Sequence, residues 1–122
     1  MYNHSAARAY QDASSHAGSP REREAALLIK AAAKLQRTKS PECTRAQLDE
    51  ALTFNRKIWT LFVGELMSET HEMPKELRQN LVNLGIFTFN HTLRIMTEPD
   101  KASVDSLINI NRNIAEGLRA DG

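Results

Sequence analysis

Four prolines divide this chain, and each stands where a helix would begin or end. Proline fixes φ and lacks an N–H, so it is tolerated in the first turn of a helix and disfavours a helical conformation in the residue before it. The stretch SPRE at 19–22 places Ser19 as a cap, Pro20 at the first helical position and Glu22 at the spacing of a capping box. A helix is expected from there to Arg37. SPE at 40–42 repeats the device and predicts a second helix, reaching Glu69, with Cys43 in its first turn. Pro74 opens a third helix to Thr97, where Glu98-Pro99 stops it. Ser103 is placed to cap a fourth, which extends to Leu118 or beyond. Strand-like alternation is nowhere sustained. The fold expected is all-α: a small bundle of four helices in one domain over 19–122, preceded by a flexible N-terminal arm at 1–18.

The apolar periodicity says which faces fold the chain. At about 100° per residue, Ala25, Leu28, Ala32 and Leu35 make a thin, alanine-rich stripe on the first helix. Leu48, Leu52, Trp59, Phe62, Val63 and Leu66 make the stripe of the second, and Asn55 falls in its middle. Val104, Leu107, Ile108, Ile114, Ala115 and Leu118 make that of the fourth, with Asn111 equally central. A buried amide needs a partner. Asn55 and Asn111 are therefore read as a structural polar core that sets helix register, satisfied by each other, by a backbone carbonyl or by Arg112. The third helix carries two stripes, Leu77, Leu81, Leu84 and Ile95 beside Val82, Ile86, Phe89, Leu93 and Met96, and is expected to pack on both sides. Gly85 lies between them and marks a close helix crossing.

Chemistry is hard to place on these helices. His4, His16, His71 and His91 are scattered, and Pro74 stands where a helical zinc site would need its second histidine. No nucleophile elbow, phosphate-cradling glycine loop or calcium loop occurs. The chain is expected not to be an enzyme and to need no metal or cofactor. A single cysteine rules out an internal disulfide, and neither a signal-type apolar stretch nor a run of membrane-spanning length is present. A cytoplasmic location with no membrane contact is the corresponding expectation.

That leaves surfaces. Phe54, Ile58 and Leu61 flank the stripe of the second helix, and Phe87 and Phe89 stand out on the third. These five are the candidate partner-binding residues, whereas Trp59, on the core stripe, is assigned to the structure. Net charge is only +1, but residues 1–40 carry seven Lys/Arg against three Asp/Glu and the rest nine against twelve. Arg21, Arg23, Lys30, Lys34, Arg37 and Lys39 are thus the candidates for contact with RNA. No aromatic residue lies between Tyr10 and Phe54 to stack on bases, which argues against it.

Several blocks together resemble the flagellar biosynthesis regulator FlaF family of alphaproteobacteria. They are MYNHSAARAY at the start, SPREREA at 19–25, NRKIWTLF at 55–62, MPKELRQNLVNLGIF at 73–87 and LININRNIAEGL at 107–118. None is a catalytic signature; their order and spacing carry the likeness. The resemblance implies a flagellin-binding factor with a secretion-chaperone-like and regulatory role in flagellin synthesis and export. Its implied partners are flagellin, the regulator FlbT and components of the export apparatus. An apolar groove between helices suits an amphipathic helix of such a partner. The alternative is post-transcriptional control of flagellin by binding mRNA through the basic first helix.

Overall fold

The computed structural model describes residues 19–68 and 72–120. The arm expected at 1–18 lies outside the described residues. Among the described residues there are four helices: α1, Pro20–Arg37; α2, Arg45–Leu66; α3, Lys75–Thr97; and α4, Asp105–Ala120.

Their ends follow from local chemistry. Ser19 is extended and its Oγ accepts from the Glu22 N–H at 3.1 Å, with Pro20 where a missing donor is harmless. The second helix begins later than Ser40-Pro41-Glu42 suggests. Those residues form a turn, in which the Cys43 N–H reaches the Ser40 carbonyl at 3.0 Å, so Cys43 precedes the helix. The cap is Thr44. Its Oγ1 accepts from the Gln47 N–H at 3.1 Å while Gln47 Oε1 accepts from the Thr44 N–H at 2.9 Å. A reciprocal box satisfies two donors at once, which a lone serine cap cannot match. The same helix stops at Leu66, short of the expected Glu69. Arg78 of α3 donates to the carbonyls of Leu66 at 3.1 Å, Ser68 at 2.9 Å and Met73 at 3.1 Å, gathering up the groups a helix end leaves unpaired. Ser103 Oγ accepts from the Asp105 N–H at 3.1 Å and opens α4.

α1 lies along α4 and also against α2, and α3 rests on another side of α2. The alanine stripe of α1 permits this double contact: Ala25, Ala31 and Ala32 are almost wholly buried and let both neighbours come close. The core runs from Leu28, Trp59, Phe62, Leu66 and Leu118 at one end to Leu35, Leu52, Ile95 and Leu107 at the other.

The third helix departs from expectation. Its fully buried positions lie on one face, that of Leu81, Gly85, Thr88, Thr92 and Ile95. Gly85 sits so close to α2 that an added Cβ would come within 2.6 Å of Val63 Cγ2 and 3.3 Å of Trp59 Cε3. The two threonines keep the contact shallow and satisfy their hydroxyls along their own helix, Thr88 donating to the Leu84 carbonyl at 3.0 Å and Thr92 to that of Thr88 at 2.7 Å. With that seam turned inward, Val82, Phe89 and Met96 of the second stripe are partly buried against the core, and Ile86 and Leu93 are left exposed.

Candidate interaction surface

The polar centre comes first because it ties the helices together. Asn111 Nδ2 donates to Asn55 Oδ1 at 2.7 Å, and Trp59 Nε1 donates to Asn111 Oδ1 at 2.8 Å. All three residues are fully buried. Of the partners open to the two amides, they take each other, and the indole of Trp59 completes the chain. Arg112 is exposed. Asn55 Nδ2 alone has no partner among the described residues. This cluster holds α2 to α4; it faces no solvent and offers nothing to a ligand.

The five candidate surface residues separate. Phe54 and Ile58 are only 3% and 2% exposed, because α2 is flanked by more neighbours than one helical wheel can reveal. The small side chains of α1 let it close over them, and the Lys34 ammonium lies 4.9 Å from the centroid of the Phe54 ring. Neither can meet a partner in this fold. Leu61 stays exposed on the flank of α2. Phe87 is exposed too, but stacks on His91, with ring centroids 5.4 Å apart and planes 12° from parallel. His91 Nε2 in turn lies 2.8 Å from the Ser103 carbonyl. Phe87 therefore belongs to the side of α3 near the start of α4, about 100° round from Ile86. Phe89 is partly buried, on the opposite flank.

What the fold does assemble is the outward stripe of α3. Ile86 is 51% and Leu93 61% exposed, whereas Val82, Phe89 and Met96 are partly buried against the core. At its N-terminal end the stripe runs into an open hollow between the end of α2 and the start of α3, lined by Leu66, Met67, Lys75, Arg78, Gln79 and Val82. Met67, an exposed side chain at the hollow's edge, escaped the sequence reading because it lies beyond the stripe of α2. Periodicity assigns Ile86 and Leu93 to folding; the rival inward seam of Gly85, Thr88 and Thr92 is the signal that places them outside.

Two of the six basic candidates, Lys34 and Lys39, are engaged within the fold. Lys39 Nζ pairs with Asp105 at 2.6 Å, and this hydrogen bond holds the Asp105 carboxyl below its ordinary range. Lys34 covers Phe54. Arg23, Lys30, Lys34 and Arg37 share one flank of α1 at helical spacing, and Arg21 lies well round from them.

Among the described residues one titratable side chain is buried. Glu24 of α1 is 6% exposed, and its Oε2, with no hydrogen-bond partner, abuts a small hollow lined by Leu27, Leu28, Ile58 and Phe62. Burial pushes its pKa up to about 7 against the opposing charges of Arg23 and Arg21. The other residues lining that hollow are all apolar. Among the described residues no group of three or more His, Cys, Asp and Glu side chains could hold a metal ion. No helix among them is long and apolar enough to cross a membrane.

Set against models of known protein families, the chain matches that of the flagellar protein FlaF over residues 6–118. No curated protein and no solved structure matches it.

Proposed function

The chain belongs to the FlaF family of flagellar proteins, and from that premise we propose that it is a flagellin-binding factor, chaperone-like in export and regulatory in flagellin synthesis. It works by binding rather than by catalysis, in the cytoplasm and with no cofactor. The observation that supports this reading is the outer flank of α3, where Ile86 and Leu93 stay exposed beside Val82, Phe89 and Met96, which are partly buried, and near the exposed Met67 at the end of α2. Contiguous exposed apolar surface of this kind marks an interaction site. An export substrate built of amphipathic helices is a fitting occupant, since such segments must be kept from assembling early. Regulation follows if flagellin and another flagellar protein, such as FlbT or an export component, compete for this face.

Calorimetric titration with flagellin at low and high salt tests the proposal, with RNA from the flagellin leader as the parallel ligand. Saturable flagellin binding with a shallow salt dependence is expected. Binding of RNA that collapses as salt rises, with no heat from flagellin, would refute it and shift attention to α1.

A further inference from the structure

The buried face of α1 is apolar except at one position. At about 100° per residue Glu24 falls among Leu27, Leu28, Ala31 and Leu35, near the middle of the buried arc. Its carboxyl ends at the hollow between α1 and α2, about 10 Å³ in volume and walled by Leu27, Leu28, Ile58 and Phe62. One water at most fits such a space, and a buried water is held by two or more polar partners. Among the described residues the carboxyl is the one polar group lining it, and Oε2 stays unpaired. A carboxylate without partner or solvent costs far more than a neutral acid in the same place. The closed seam therefore belongs to the protonated form.

The charges around the hollow offset that cost only in part. On α1, Arg21 and Arg23 favour the carboxylate, but burial outweighs both. Arg23 Nε and Glu24 Oε2 are each buried without a partner, so these two atoms do not meet. α2 faces the hollow with Ile58 and Phe62; Lys57 beside them is half-buried, and burial also raises the pKa of Glu65, one turn beyond Phe62. α4 meets this part of α1 with Ala115 and Leu118 and keeps Arg112, Glu116 and Arg119 exposed. Position along the helix decides what yields. Glu24 is in the second turn of α1, whereas the far end is fixed by Leu35 in the second core cluster and by Lys39 on Asp105. The end of a helix can open without global unfolding. We propose that Glu24 is a proton-operated latch on the α1–α2 seam: neutral, it keeps the first two turns of α1 closed over Ile58 and Phe62, and ionised, it draws water into the hollow and parts those turns from α2 while Leu35 stays packed with Leu107 and Ile108. The open form is otherwise folded, which sets the latch apart from a loss of global stability.

Native-state hydrogen exchange on the full chain separates such an opening from unfolding. Protection factors are read by NMR at pH 5 and pH 8, with and without urea below the unfolding transition, for wild type, Glu24→Gln and Glu65→Gln. In wild type the amides of residues 24–28 should lose protection on the order of 50-fold between the two pH values. Their exchange should respond weakly to urea, whereas the core amides of α2 show the steep response of global unfolding. Glu24→Gln should hold the α1 amides within about threefold across the same range, and Glu65→Gln should behave as wild type. Equal protection and equal urea slopes for residues 24–28 and the core of α2 at pH 8 would overturn the latch, because α1 would then open only with the whole fold. So would an unchanged wild type, a loss that persists in Glu24→Gln, or one abolished by Glu65→Gln instead. Should Glu24→Gln fail to fold, the carbon-13 signal of the Glu24 carboxyl in wild type decides. A midpoint near 7 that tracks the loss of protection supports the latch, and one near 4.5 refutes it.

Discussion

Asn55 and Asn111 are not equivalent, although they look alike in the sequence. Asn111 uses its carbonyl for Trp59 Nε1 and its amide for Asn55 Oδ1, so Asn111→Leu strands two buried groups. Asn55→Leu strands only the Asn111 amide and removes a donor that already lacks a partner. Denaturant unfolding should therefore show a loss of about 1 kcal/mol for Asn55→Leu and about 2–3 kcal/mol for Asn111→Leu. Equal losses would mean the indole bond contributes nothing. Glu24 supplies a pH test at the same scale. Its raised pKa means that the unfolded chain releases its proton first as pH climbs from 4.5, the ordinary value, to about 7. Across that window the folded state loses stability, by about 2 kcal/mol, and nothing is lost below it. The difference in unfolding free energy between Glu24→Gln and wild type should grow in favour of the variant between pH 5 and pH 8. Asp105 shifts the opposite way, but cancels in that difference.

Among the elements, α3 is defined by one glycine. Alanine in place of Gly85 gains up to about 1 kcal/mol of helix propensity. It also drives a methyl group to 2.6 Å from Val63, whose short branched side chain cannot swing clear. Overpacking of this kind costs about 1–3 kcal/mol, so Gly85→Ala should lower stability in thermal melts, and a Val63→Ala background should reverse the sign. How far the elements were legible depends on what each needed. The starts of α1 and α3 were readable because proline admits few alternatives. The start of α2 was not, since Ser40-Pro41-Glu42 carries the same local signal as the start of α1, and only the reciprocal bond of Thr44 with Gln47 moves the start beyond it. The two stripes of α3 were visible, but a wheel records periodicity and is silent on which face finds a neighbour. Phe54 and Ile58 were misplaced for the same reason, because the closeness of α1 is a property of alanines on another helix.

For the molecule as a whole, Trp59 connects three helices: it belongs to α2, hydrogen-bonds to α4 and packs beneath Gly85 of α3. Its fluorescence and far-UV dichroism should consequently report one coincident denaturant transition. Two separated transitions would show that α3 detaches before the rest, making its exposed flank part of a looser unit. The pairing of α1 with α4 has a further consequence, in the order of synthesis. Leu35 packs in one cluster with Leu107 and Ile108, and Leu28 in the other with Ala115 and Leu118. A ribosome must deliver α2 and α3 before α1 can find its main partner. Until α4 emerges, the nascent chain displays the bare face of α1, which proteases and holdases recognise. Only with α4 in place is that face covered, so the contacts of longest sequence separation are also the last that synthesis allows.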